Sequence, residues 1–284
     1  MKILLTGAKG MLGTDVAKRL KNLDIEYIGI DREEVDITDK SAVYDFISEF
    51  KPNAIIHCAA YAAVDKAETE RDAALNINAV GTDNLVKATA SVNAKFLYIS
   101  TDYVFDGQAA APYETDAKCS PVNWYGQTKL KGEEFIQERL SKYFIIRTSW
   151  MFGRHGNNFV KTMLRLSEVK SEINVVNDQI GSPTFTEDLA VLLCEMIHTE
   201  KYGMYHATNE GFCSWYEFAK IIFEYSGKPI KVNAVTTEEY KTAAKRPKNS
   251  RLSKASLDRA DFLRLPDWED ALKRYMLDKR KGDQ

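Results

Sequence analysis

The chain has 284 residues, 44% of them hydrophobic and 28% charged, and a formal net charge of −2. A chain of this length can remove roughly 75% of its unfolded surface from water, and so balanced a charge excludes general attraction to nucleic acid or to an anionic membrane. The first apolar run, Ile3-Leu4-Leu5, is too short for a signal-peptide core or a membrane span, and Cys58, Cys119, Cys194 and Cys213 are too scattered for a disulfide framework or a zinc site. The expected location is the cytoplasm. The basic residues Lys273, Arg274, Lys279, Arg280 and Lys281 read as the solvated face of a final helix and tail.

Short apolar runs at 3–5, 27–30, 54–57, 96–100 and 144–147 read as buried strands. Between them lie helical patterns such as Leu12, Val16, Leu20 and Leu23, whose spacing keeps the apolar groups on one face. Strand–helix–strand alternation without hairpin signals predicts an α/β fold, a Rossmann-type doubly wound parallel sheet covered on both sides. Such a sheet binds ligands beyond the carboxyl ends of its strands. After Trp150 the regularity weakens. Helices are expected at 159–166, 187–197 and 215–225, separated by polar loops at 153–158, 177–183 and 244–250. The expected division is a dinucleotide-binding domain over 1–150, with a returning segment near 172–200, and a smaller substrate-binding lobe from 151–171 and 201–284.

Thr6-Gly7-Ala8-Lys9-Gly10-Met11-Leu12-Gly13 follows the first strand and opens the first helix. Glycines at 7, 10 and 13 allow a tight turn and close approach of the backbone to a pyrophosphate, and the third lets helix and strand pack closely. The helix N-terminus adds free N–H groups and a partial positive charge. The wide Gly-x-x-Gly-x-x-Gly spacing resembles that of the extended short-chain dehydrogenase/reductases, and cofactor contacts are expected at Gly7, Gly10, Met11, Leu12 and Gly13. Asp31, at the end of the second strand, can hold the adenosine ribose hydroxyls, and Arg32 beside it can neutralise a 2′-phosphate. NADPH is the expected cofactor, with NADH tolerated. The resemblance adds Asp36 and Ile37 against the adenine, and Ala59, Ala60, Tyr61 and Ile99 along the dinucleotide.

Thr101 leaves the fourth strand at the sheet's carboxyl edge, and Tyr125-Gly126-Gln127-Thr128-Lys129 begins an amphipathic helix running to about Leu140. Residues four apart share a helical face, so the Tyr125 phenol and the Lys129 ammonium are directed toward one cleft. A free tyrosine titrates near pH ~10. A neighbouring cation is expected to lower that value, and moving it by about three units represents about 4 kcal/mol. The order Thr101, Tyr125, Lys129 resembles the hydroxyl–phenol–amine arrangement of short-chain reductases. It implies hydride transfer to a ketone, Tyr125 as general acid, Thr101 as hydrogen-bond donor to the same oxygen, and Lys129 tuning Tyr125 and anchoring the nicotinamide ribose.

Residues 100–107 (STDYVFDG), 147–152 (RTSWMF), 156–159 (GNNF), 177–184 (NDQIGSPT) and 246–252 (RPKNSRL) strongly resemble the dTDP-4-dehydrorhamnose reductases, over essentially the whole chain. The implied partner is a dTDP-linked 4-keto-6-deoxysugar, with Thr101, Asp102, Trp150 and Val64 of the Val64-Asp65-Lys66 segment near the sugar. Arg246 is the candidate for its diphosphate, because arginine offers a planar fork to phosphate oxygens. His57, His155 and His206 have no companions at metal-ligand spacing and are expected to be structural. Some relatives join two subunits through magnesium. The acids Glu269, Asp270 and Asp278 form no matching set here, so a monomer or weak homodimer is expected. Two rivals remain: an epimerase or dehydratase on the same scaffold, and a binding module like the regulatory subunit of methionine adenosyltransferase. Dehydratases place a second acid where this chain has Tyr103, and a mere module needs neither Trp150 nor the 156–159 loop.

Overall fold

The computed structural model describes residues 1–282, with side chains through Leu277, so Asp278, Lys279, Arg280 and Lys281 lie outside the described side chains. Its first half runs β1 (Ile3–Thr6), α1 (Met11–Asn22), β2 (Tyr27–Ile30), α2 (Lys40–Phe50), β3 (Ala54–His57), α3 (Val64–Ala67), α4 (Arg71–Leu75), a π-helical turn (Asn76–Gly81), α5 (Thr82–Ser91), β4 (Lys95–Thr101), α6 (Trp124–Arg139) and β5 (Tyr143–Thr148). The second half runs β6 (Met151–Phe152), α7 (Phe159–Leu166), β7 (Glu172–Val176), β8 (Ile180–Gly181), β9 (Thr184–Phe185), α8 (Thr186–Met196), β10 (Gly203–His206), β11 (Asn209–Glu210), β12 (Cys213–Ser214), α9 (Trp215–Ser226), β13 (Lys231–Val235), α10 (Ala255–Arg259), β14 (Leu265–Asp267) and α11 (Trp268–Gly282).

Six strands form a parallel sheet in the order β10-β5-β4-β3-β1-β2. Successive strand residues face opposite sides, and helices cover both, so the central runs are apolar throughout rather than alternating. Ile3, Leu5, Ile56, Leu97 and Ile146 point into a layer shared with α1 and α8. Leu4, Ile55, Phe96 and Ile145 point into the opposite layer beneath α2, α5 and α6. Each such buried aliphatic side chain contributes about 1.5–3 kcal/mol.

A second core joins Phe152, Val160, Phe185, Phe218, Trp268, Leu272 and Tyr275 between α7, α9 and α11. Sharp signals end its helices. Asn158 caps α7, Ser214 and Glu217 form a reciprocal capping box on α9, and Gly227 ends α9 with φ +68°.

The expected division needs correcting at two points. Residues 172–176 do not return to the large sheet; they pair with β13 in the second lobe, with Glu172 and Asn174 exposed as on an edge. What returns is α8, packed on α1, followed by β10, which pairs with β5. Gly203-Met204-Tyr205-His206 carries no Val/Ile run, so periodicity did not mark it as a strand. No helix of the described residues is long and apolar enough to cross a membrane.

Beneath α6 the sheet buries charge. Glu133 accepts from Arg147 Nε at 3.0 Å and Nη2 at 2.6 Å, and from Ser100 Oγ at 2.5 Å; the paired side chains are 0% and 3% exposed. Removing one partner strands the other, so Glu133→Ala is expected to cost about 3–5 kcal/mol in urea unfolding, most of it recovered by adding Arg147→Met.

Candidate active site

Strand order reverses between β1 and β3, and a crevice opens where their carboxyl ends part. Gly7 follows β1 with φ +69°, and a Cβ there would lie 2.6 Å from the Ala59 amide nitrogen. Glycine alone satisfies both conditions. A side chain on Gly13 would strike the Gly7 carbonyl oxygen, so α1 sits directly against the turn. The first turn of α1 has no side-chain cap and no acid, which leaves its amides and the positive end of its dipole to an anion. The crevice encloses about 420 Å³ and is lined by Gly7, Gly10, Asp31, Arg32, Asp36, Ile37, Ala59 and Ala60 of the expected cofactor residues. Asp31 accepts from the Lys9 amide at 2.9 Å. Arg32, its side chain 86% exposed, reaches Asp36 at 3.2 Å and keeps its guanidinium at the rim. A glycine-lined anion cradle with a ribose-binding acid and a rim cation fits a phosphorylated dinucleotide.

Seven expected contacts do not line that crevice: Gly13 is packed beneath the turn, Tyr125 and Lys129 lie on α6, and four others are directed elsewhere. Leu12 and Ile99 are turned into the core by helix and strand periodicity. Met11 reaches toward the second lobe, where the Asn158 amide donates to its Sδ at 3.7 Å. Tyr61 donates its hydroxyl to Glu70 at 2.5 Å. Sequence reasoning missed Val35, Ala73, Asn76 and Ile77, which close the crevice. The last two open the π-helical turn, and such an insertion leaves no periodic trace. Asn78, in the same turn, ties Tyr61 to Thr128 of α6 through its side chain.

Thr101 ends β4, and its hydroxyl accepts from the Tyr103 amide at 3.2 Å and bonds Asp102 Oδ1 at 3.1 Å. Asn123 caps α6 by accepting from Gly126 N at 2.8 Å, while its amide donates to Lys245 O at 2.9 Å. That cap sets the start of the helix and brings Tyr125 near Thr101, whose hydroxyl favours the ionised phenol. Lys129, one turn on, is 2% exposed, with its Nζ 3.9 Å above the Tyr98 ring.

The electrostatics differ from the expectation in one respect. The Tyr125 phenol is pushed up, first by burial and next by Asp102, with the Thr101 hydroxyl opposing. Lys129 is itself pushed down to about 7 by burial, against the pull of Glu133 and Cys58, and Tyr98 rather than Tyr125 receives its ammonium. The phenol is held protonated, the acid form. His57, buried between Thr6 (2.6 Å) and Thr82 (3.1 Å), is driven down to about 3 by burial and then by Lys129, which suits a neutral structural role.

A second cavity of about 460 Å³ lies beside this corner, lined by Asp65, Tyr103, Phe159, Gln179, Trp215, Tyr240 and Arg246 among others. Trp150, at φ +48°, stacks on Trp215 at 3.7 Å and against Gly181, backing the cavity rather than walling it. Val64 opens α3 outside the wall. The Arg246 fork is not free: Nη1 and Nη2 donate to the two Asp65 oxygens at 3.0 and 2.6 Å. Asp65 also accepts from the Ala244 amide at 3.0 Å, which fixes the 244–246 loop to α3.

A doubly wound parallel sheet with a glycine cradle at its switch point, flanked by a hydroxyl, a phenol and an amine, defines a Rossmann-type reductase of the short-chain kind. The family model described as RmlD substrate binding domain matches residues 1–281, and the chain belongs to that family. It is similar to the dTDP-4-dehydrorhamnose reductase of Aggregatibacter actinomycetemcomitans, 43% identical over 96% of this chain and 97% of that one. Among solved structures it resembles a dTDP-4-dehydrorhamnose reductase of Clostridium acetobutylicum, with TM-score 0.96, 46% identity, and 99% of this chain and 100% of that one covered. It also resembles the Bacillus anthracis dTDP-4-dehydrorhamnose reductase in complex with NADP, with TM-score 0.95, 46% identity, and coverage of 98% and 99%.

Because the Gly13 position is closed by the Gly7 backbone, Gly13→Ala is expected to weaken NADPH binding at least tenfold by fluorescence titration and, by forcing α1 off the turn, to lower the unfolding midpoint as well.

Proposed function

We propose that the chain reduces the 4-keto group of dTDP-4-dehydro-L-rhamnose with NADPH, giving dTDP-L-rhamnose in the last step of its synthesis. The observation that carries this reading is the meeting of Thr101 and Tyr125 at the edge of β4, with Lys129 one helical turn behind. The Gly7–Gly13 turn and the start of α1 would hold the pyrophosphate, Asp31 the ribose, and Arg32 the 2′-phosphate. Bound there, NADPH supplies a hydride to the ketone carbon. Tyr125 gives its phenolic proton to the carbonyl oxygen as charge develops on it, and Thr101 donates a hydrogen bond to the same oxygen. Lys129 anchors the nicotinamide ribose. Tyr103 is a buried phenol held in its neutral form by burial, so no second acid follows Asp102, as a dehydratase would require. For Arg246 to grip a diphosphate, the substrate's anion must take the place of the Asp65 carboxylate on the guanidinium fork.

Tyr125→Phe is expected to lower kcat by about 10²–10⁴-fold with NADPH affinity within about twofold; near-normal NADPH oxidation would reject the assignment. Arg246→Ala is expected to raise KM for the sugar nucleotide about tenfold or more, the worth of a charge-assisted fork, and to leave KM for NADPH unchanged. Equal effects on both would count against its contact with the diphosphate. Product stereochemistry, with close analogues of the keto sugar as competitors, tests the substrate.

A further inference from the structure

The rim of the crevice, where β2 ends, carries a charge cluster whose carboxylates the cofactor cradle does not use. Lys9 stands between Gly7 and Gly10, and its amide donates to Asp31 Oδ2 at 2.9 Å. Its ammonium lies along the same turn, donating to Glu33 Oε2 at 2.7 Å and to Glu34 Oε1 at 2.9 Å. The other oxygen of Glu34 accepts from the Asp31 amide at 2.8 Å. The acid expected to hold the ribose, the amine and the two carboxylates thus form one bonded unit. Arg32, beside them, donates to Asp36 at 3.2 Å, so Lys9 and Arg32 are both engaged by carboxylates. Hydrogen bonds from Glu33 and then Glu34 hold the Lys9 amine well above its ordinary value, a full cation. The side chains of Lys9, Glu33 and Glu34 are all open to solvent.

NADPH and NADH differ by one phosphate on the adenosine ribose. A 2′-hydroxyl needs an acceptor, which Asp31 offers, whereas a 2′-phosphate needs cations and is repelled by carboxylates. Asp31, Glu33, Glu34 and Asp36 set four carboxylates on this turn against Lys9 and Arg32. A phosphate arriving at Asp31 must take an ammonium already bonded to two of them, while a hydroxyl displaces neither. Resting on the placement of the ribose at Asp31, we propose that Glu33 and Glu34 are specificity-determining residues: by holding the Lys9 ammonium they withhold it from the 2′-phosphate and narrow the preference for NADPH over NADH. Exposed ion pairs of this kind are weak and are screened by salt. The phosphate therefore contends for Lys9 instead of being shut out, and the effect is on the order of two- to tenfold in affinity. Lys9 holds Asp31 through its backbone, so changing its side chain leaves the ribose acid in place.

The test is fluorescence titration with NADPH and NADH, and displacement of the bound cofactor by 2′,5′-ADP and by 5′-AMP, which differ only in that phosphate and transfer no hydride. Glu33→Gln combined with Glu34→Gln is expected to raise the NADPH:NADH affinity ratio about two- to tenfold. The same gain is expected for 2′,5′-ADP over 5′-AMP, and it should shrink at high salt. Lys9→Met is expected to lower the ratio and, added to the two glutamines, to remove their gain. An unchanged ratio in the double variant, an equal shift for both cofactors, or a gain that survives Lys9→Met would overturn the proposal. Asp31→Ala separates it from the reading beneath it. If that variant loses NADH affinity while the glutamines leave the ratio unmoved, the ribose placement stands and only the role of Glu33 and Glu34 falls. If it binds both cofactors normally, the ribose placement and the proposal fall together.

Discussion

Glu133 and Arg147 meet inside the protein with almost no solvent, and the position of α6 follows from that meeting. Glu133 lies on the same helical face as Lys129 and, one turn further back, Tyr125, while Arg147 and Ser100 belong to β5 and β4. A charged pair buried this deeply costs several kcal/mol of desolvation for each ion, repaid only when both hydrogen-bonding sets are filled. Here they are filled: Arg147 also donates to Thr115 O at 3.1 Å and Cys119 Sγ at 3.2 Å. The pair admits one registry of helix against strands. Gly132 tightens it, since a Cβ there would lie 2.5 Å from the Tyr98 hydroxyl. The cap at Asn123 and the pair at Glu133 thus fix both ends of the segment that carries the proposed acid.

Burial also sets the resting protonation of the corner. It pushes the phenols of Tyr125 and Tyr103 up, Lys129 down, and His57 far below neutrality. Each group is moved toward its uncharged form, the expected result where low dielectric outweighs local charge. A site so arranged suits a reaction in which negative charge appears briefly on one oxygen and few competing charges screen it.

Much of this was legible in the residues. The glycine turn could be read because Gly7 and Gly13 face backbone that no other residue permits. That Tyr125 and Lys129 lie one turn apart on α6 followed from helical spacing alone, but the Lys129 ammonium sits over Tyr98 and not Tyr125. The four inner strands β1, β3, β4 and β5 stood out because burial on both faces demands unbroken apolar runs, and the edge strand β2 showed as a run with Ile28 exposed. Three features did not stand out. The Asp65–Arg246 pair joins residues 181 positions apart, a distance at which charge alone selects no partner. The π-helical turn that supplies Asn76 and Asn78 has no periodic signature. The effect of burial on Tyr125 depends on Asp102 and the depth of the cleft, and it reversed the direction that spacing to Lys129 implied.

The return of α8 and β10 to the large sheet has a consequence for how the chain is made. A polypeptide emerging from the ribosome as far as β5 possesses the glycine cradle and the helix bearing Tyr125. Yet Leu97, Phe144 and Ile146 still lack the cover of Leu189, Leu193 and Tyr205, which arrive some fifty residues later. Until then one flank of the sheet is bare oil-like surface with an open edge, the condition in which nascent chains adhere to one another. The intervening lobe must therefore be synthesised and looped out before the nucleotide-binding half can close, and no cut near residue 150 would release a self-sufficient fragment.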